Sequence, residues 1–374
     1  MKIEFGVLGF GETARRNLLD TLDNNWVTMG PKVKEFEDKW GELFKYRYNV
    51  AMSSGTDADF NACVSLYDFG AKVGDEIIMP ALSFIAPANA IRAAQFTPVF
   101  VDINRQTLNI DPNKIEEKIT NKTRAIMAIH TMGKPCEMDK IADIAKKFDV
   151  YVIEDACEAH GAQFKGRFVG HWGDLSTFSF FSAHLICTAE GGMVSTQRQD
   201  FYEILRSTRS HGRKDGQAYF DHIRFGVNSK MNDLEASLGL EGVEQFWNIF
   251  NARKKNLNYL LEHTKDLEEF AYFNCEEEHD VNCPHAFSLT LKNPDFDYWH
   301  FYNHLQVNSI HCKRNFGSVP TQHKAFAYLN HTLGEFPEAE YVGNNGLHIG
   351  VHHLLSQENL DYVVERLHDY FKKV

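Results

Sequence analysis

Thr177-Phe178-Ser179-Phe180-Phe181-Ser182-Ala183-His184-Leu185-Ile186, followed by Glu190-Gly191-Gly192-Met193-Val194, is the stretch whose reading decides the fold. An apolar strand enters a turn of small residues that presents one reactive side chain, His184, and a glycine pair then opens a second strand. Working outward, Val150–Ile153 reads as a strand that releases Glu154-Asp155-Ala156-Cys157-Glu158-Ala159-His160-Gly161. Burying Asp155 without a cationic partner would cost several kcal/mol, so either a cationic ring nitrogen or a structural salt bridge is implied. Farther upstream, Ser53-Ser54-Gly55-Thr56-Asp57 links the strand Tyr48–Met52 to a helix. Its small residues expose N–H groups at the positive end of the helix dipole, a phosphate cradle, although a plain strand–turn–helix reads the same way. Ser83-Phe84 follows the strand Ile77–Met79, where a parallel sheet places its ligand-binding loops, so Phe84 is either a stacking ring or a core residue.

The same alternation continues through Glu76–Met79, Ala86–Ala94, Pro98–Val101, Ala125–Ile129 and Met138–Phe148. Residues 40–240 therefore hold six or seven strands of a mainly parallel sheet covered by helices, an α/β architecture. A helical stretch near Leu234–Leu261 leads to a smaller unit with a strand at Phe287–Leu291 and a closing helix at Gln357–Phe371. The expected division is a large α/β domain over residues 1–245 and a small α+β domain over 246–374.

With 374 residues, 43% of them hydrophobic and 24% charged, the chain can bury a large core. A net charge of −12 argues against nucleic acid or anionic membrane as partner, while a small anionic ligand could still bind a local basic pocket. The start MKIEFGVLGFG is too short in apolar length for a signal peptide, and no run approaches the roughly 18 residues of a spanning helix, so a cytoplasmic protein is expected. Seven cysteines, at 63, 136, 157, 187, 275, 283 and 312, form no CxxC pair and no cluster; reduced thiols and no metal centre are the expectation.

The segment around His184 resembles the DegT/DnrJ/EryC1/StrS family of sugar-modifying pyridoxal-phosphate enzymes, whose members typically read SFHPxKxI before EGG. The likeness runs from Trp26-Val27-Thr28-Met29-Gly30-Pro31 through the SSGTDA turn to Arg209-Ser210-His211-Gly212 and Gly226-Val227-Asn228-Ser229-Lys230-Met231. It implies an aspartate-aminotransferase-like fold with a seven-stranded sheet, binding pyridoxal or pyridoxamine 5'-phosphate. It further implies that Ser54, Gly55, Thr56 and Ser179 hold the phosphate, that Phe84 stacks on the ring and that Asp155 meets the ring nitrogen. Glu158 stands where most aminotransferases have glutamine, and Lys230 where arginine is usual. Asn228 would reach the phosphate of a neighbouring subunit in a homodimer, and His211 and Arg314 are candidate substrate contacts.

In that likeness the family's lysine falls on His184. The lysine holds the cofactor covalently and also moves a proton between cofactor and substrate; imidazole can do only the second. A cofactor bound without a covalent bond follows, and a histidine of ordinary pKa near 6.5 suits a general base. The same change marks the family's 3-dehydratases, and Leu347-His348-Ile349-Gly350-Val351 with Leu360-Asp361-Tyr362-Val363 is similar to their tail. The implied reaction is loss of the C3 hydroxyl from a nucleotide-linked 4-keto-6-deoxy sugar, with glutamate restoring pyridoxamine. The iron–sulfur cysteines of some dehydratases are absent from the sequence, and SFIAPANAI and TLNIDPNKI look more like ordinary sugar aminotransferases. Two alternatives stand: a transaminase or other elimination, for which Lys165 and Lys214 lie outside the motif, and a non-catalytic binding or regulatory protein.

Overall fold

The computed structural model describes residues 1–214, 221–293 and 296–372. Seven strands build the main sheet: β1 (Tyr48–Met52), β2 (Glu76–Pro80), β3 (Thr97–Val101), β4 (Thr123–Ile129), β5 (Tyr151–Asp155), β6 (Leu175–Ser179) and β7 (Gly192–Thr196). Their order is β1-β7-β6-β5-β4-β2-β3. The contacts β3·β2, β2·β4, β4·β5 and β5·β6 are parallel, and only β7 runs against its neighbours β6 and β1. Most positions of these strands are buried, as continuous apolar runs covered on both faces require. Because β3 lies outside β2 while β4 lies inside it, the strand order reverses between β2 and β4, and a crevice opens at the carboxyl ends there.

Helix α1 (Glu12–Asp23) and α2 (Pro31–Phe44) pack on the start of α7 (Asp233–His263). The buried Asp233 carboxylate accepts the N–H groups of Gly30, Lys32 and Val33, satisfying the donors at the start of α2. Helix α3 (Gly55–Ser65) lies against β6 and β7 and is buried along most of its length, including the polar Asp59 and Asn61.

The smaller unit has a four-stranded antiparallel sheet in the order Ala271–Phe273, Ala286–Leu291, Gly346–Gly350 and Cys312–Arg314. Its core takes Leu257 and Leu260 from the end of α7, Val363 and Leu367 from the last helix, and Ile3 from the start of the chain. Ile3 bonds through its backbone to Ser309 and His311 at 2.9 Å each, so the first residues fold with the small unit although they precede the large one. The division proposed at 245/246 falls inside α7, the helix both units share.

Strand β5 runs two residues beyond its sequence-based end, because Glu154 and Asp155 pair with Ala128 and Ile129 of β4. Glu154 stays ionised inside the protein: burial pushes its pKa up, but His130 and the N–H groups of Gly170 and Gly173 outweigh this and hold it below the usual carboxylate value. It accepts Gly170, Trp172 and Gly173 N–H at 2.7, 2.7 and 2.6 Å and faces His130 Nε2 at 3.2 Å. Glu154→Gln places an NH₂ among these donors and should destabilise the fold by about 2–4 kcal/mol at pH 7. A depressed folded pKa gives stability above the unfolded value and loses it as pH falls, so urea unfolding should show the deficit shrinking below about pH 4.

Candidate active site

The ends of β4, β5 and β6, the loop after β2 and the first turn of α3 meet one edge of the small sheet around a cavity of about 480 Å³. Ser54, Gly55, Thr56, Phe84, Asp155, Glu158, Ser179, His184 and Arg314, scattered over some 260 residues of sequence, all line it.

The floor is built by close approach. A Cβ on Gly55 would lie 2.6 Å from Ser179 Cβ, and one on Gly192 would lie 2.2 Å from the Ser54 carbonyl oxygen. Glycine at both places lets the start of α3 sit directly over β6 and β7, which aims its first N–H groups at the cavity. Ser54 caps the helix by accepting Asp57 N–H at 3.0 Å, and Asp57 in turn accepts the hydroxyls of Ser53, Ser54 and Ser229. These bonds, with Ser53 N–H to Ser229 O, stitch the SSGT turn to the GVNSKM segment.

Asp155 is 5% exposed and accepts Cys157 N–H at 3.0 Å; among the described residues it forms no ion pair. Burial pushes its pKa up. A buried acid without a cation fits the protonated nitrogen of a pyridine ring, and the helix start fits a phosphate. Phe84 is 58% exposed and meets Phe316 edge-on at 6.0 Å across the cavity, positioned to cover a flat ring.

His184 follows β6 with its N–H bonded to Phe181 O, and its buried Nδ1 has no partner. Burial pulls its pKa down to about 3, with Arg253 and Lys313 adding to the effect, so the imidazole is neutral at physiological pH. His285 stands beside it, ring centroids 5.4 Å apart, with Nε2 3.4 Å from Glu158 Oε1. Glu158 Oε2 accepts Met132 N–H at 2.7 Å, and burial raises this carboxyl to about 7.

His285, Lys313 and His348 come from the small unit, and Asp59 and His130 from the large one; all line the cavity and none is visible as a site residue in the sequence. Only Asp59 leaves a local signal, an acid among the apolar residues Phe60, Cys63 and Val64 on one helix. Lys313 also changes the expectation about lysines: it reaches the cavity, whereas Lys165 is paired with Asp139. His211 is exposed, at a positive φ of 63°, and does not line the cavity; its carbonyl receives His222 Nδ1. The bonds of the RSHG turn to residues 222–227 hold it outside this chain's own cavity. Asn228 is likewise exposed and outside this chain's own cavity.

A model of the DegT/DnrJ/EryC1/StrS aminotransferase family matches residues 10–368. The chain belongs to that family. Among curated DegT/DnrJ/EryC1/StrS proteins it is 33% identical over 360 residues to GDP-perosamine synthase of Escherichia coli O157:H7, covering 94% of each chain. It is 30% identical over 374 residues to GDP-4-keto-6-deoxy-D-mannose 3-dehydratase of Yersinia pseudotuberculosis, covering 94% of this chain and 93% of the other. The crystal structure of the Escherichia coli enzyme of that activity, with bound hydrated PLP, superposes with a TM-score of 0.89 at 27% identity, over 98% of this chain and all of the other. Sugar-nucleotide aminotransferases and dehydratases thus lie at similar distances.

Glu158 generates a pH test for this family member. Its folded pKa, near 7, is above the unfolded value of about 4.3, so its stabilising contribution is present at low pH and is lost as pH rises through 7. Glu158→Gln should therefore exceed the wild type in stability by about 3–4 kcal/mol at pH 8 and match it at pH 4, measured by denaturant unfolding of the cofactor-free protein.

Proposed function

We propose that this chain is a 3-dehydratase of a nucleotide-linked 4-keto-6-deoxy sugar that uses non-covalent pyridoxal/pyridoxamine 5'-phosphate, with His184 as its base. The carrying observation is an imidazole with a free, buried Nδ1 on the wall of the cavity that Asp155 also lines. When bound, pyridoxamine phosphate supplies an amine for the 4-keto group and a ring that accepts electrons.

The protein's residues do the rest. Asp155 holds the ring's N–H, the start of α3 with Thr56 and Ser179 receives the phosphate, and Phe84 covers the ring. His184 cannot hold the cofactor covalently, so it is left with one task, taking a proton at the carbon beside the amine. Its basicity in the empty cavity is low, and entering anionic phosphates raise it. With no amine at that position to return the proton to C4, departure of the C3 hydroxyl is favoured. Lys313 and Arg314 supply the positive wall for the nucleotide's phosphates or the carboxylates of glutamate, the proposed amino donor. Exposed Phe84, Phe181 and Phe225, and Asn228 outside its own cavity, support a homodimer that completes each site.

A second reading rests on Lys313, whose ammonium is disfavoured by burial in the same cavity. A lysine there could carry the proton that a transaminase needs. Incubation with glutamate and 4-keto-6-deoxy sugar nucleotides separates the two by product mass. The dehydratase releases a ketosugar lacking one hydroxyl and containing no added nitrogen; an amino sugar would refute it. His184→Asn should lower the dehydration rate about 10²–10⁴-fold with cofactor binding retained.

A further inference from the structure

The cavity also contains Asp59, an acid that the proposed chemistry does not use. Asp59, in the second turn of α3, is 1% exposed, and its side-chain oxygen, an Asp155 oxygen and Cys157 Sγ lie within 4.8 Å of one another. Thr177 Oγ1 of β6 donates to Asp59 Oδ1 at 2.6 Å, fixing one oxygen. At this distance and burial each carboxylate makes ionisation of the other costlier, and no ion pair reaches either among the described residues. Burial, and then the charge of Asp155, push the Asp59 carboxyl far up.

The surroundings supply no competing cation. Cys157 follows β5, Cys63 lies one turn along α3, and both thiols are held neutral by burial. Glu158 adds negative charge from the loop after β5. His130, at the end of β4, accepts Cys136 N–H at Nδ1 and so offers its Nε2 proton to Glu154 rather than to Asp155. Buried Cys136 stands behind it.

We propose that Asp59 is a positioning residue for the ring-binding acid: Asp59 and Asp155 share one proton, and Asp59 thereby sets how strongly Asp155 holds a ring N–H. This rests on the assignment of Asp155 to the ring nitrogen. Holding the proton, Asp59 is neutral and leaves Asp155 the only charge of the pair; ionised, it adds a second negative charge facing the ring. Asn at 59 would imitate only the first condition, keeping an acceptor for Thr177 and placing no charge beside Asp155.

The test begins with the cofactor-free wild type, whose infrared spectrum at neutral pH should contain the C=O stretch of a protonated carboxyl that Asp59→Asn removes. Thermal unfolding of Asp59→Asn, Asp155→Asn and the double variant should show each single change raising Tm at pH 8 and not at pH 4, with effects that do not add. The ¹⁵N shift of ring-labelled pyridoxamine phosphate bound to wild type and Asp59→Asn supplies a readout that a merely structural role leaves unmoved. The ring should lose its N–H at lower pH in the variant. Absence of the carboxyl band, or an unchanged ring titration, overturns the proposal. Failure of the wild type to bind pyridoxamine phosphate refutes the cofactor assignment instead, and Asp59's role toward the ring with it, a result distinct from either.

Discussion

The molecule is arranged around a negative charge that it does not itself neutralise. Asp155 ends a central strand, 5% exposed on the cavity wall, and the described residues give it the N–H and thiol of Cys157 and no cation. Its neighbour in sequence, Glu154, is as deeply buried but collects four donors and is complete. The contrast separates structure from function: the satisfied acid ties the 170–173 loop to the sheet, and the unsatisfied one is the acid proposed to meet the cofactor's ring nitrogen. A crevice where strand order reverses, a helix start aimed into it and an aromatic ring at its mouth make sense as the other contacts of that ligand.

Around this centre the cavity is rich in imidazole and poor in permanent charge. His184, His285 and His348 are all driven towards the neutral form by burial. Neutral imidazoles can take up a proton without first losing one, as a base needs. Lys313 and Arg314 stand on the opposite strand of the small unit, so substrate phosphate and proton acceptor would approach from different walls.

Much of this was legible before any coordinates. Strands of the large sheet are short apolar runs bounded by small residues, and the SSGT, EDACE and SFFSAH segments each lie at a strand end, where polar and small residues replace the apolar run. Strand β5 was read too short because two carboxylates look like the end of a strand; only the partner register and the donors of the 170–173 loop show that they belong to it. His285 and Lys313 were invisible for another reason. His285 lies just before the strand Ala286–Leu291 and Lys313 on the three-residue strand Cys312–Arg314; no motif surrounds either, and they reach the cavity only through the way the two units pack. His211 lies outside this chain's own cavity because the bonds of its turn to residues 222–227 set its direction, which the motif alone does not reveal.

The central claim is that no amine of the protein holds the cofactor and that His184 replaces it as base. Borohydride reduction of the pyridoxal-phosphate-loaded protein, followed by peptide mass analysis, tests it most directly. The expected result is cofactor retained before reduction and no phosphopyridoxyl group on any peptide afterwards. A phosphopyridoxyl adduct on Lys313, or on any other lysine, would contradict it.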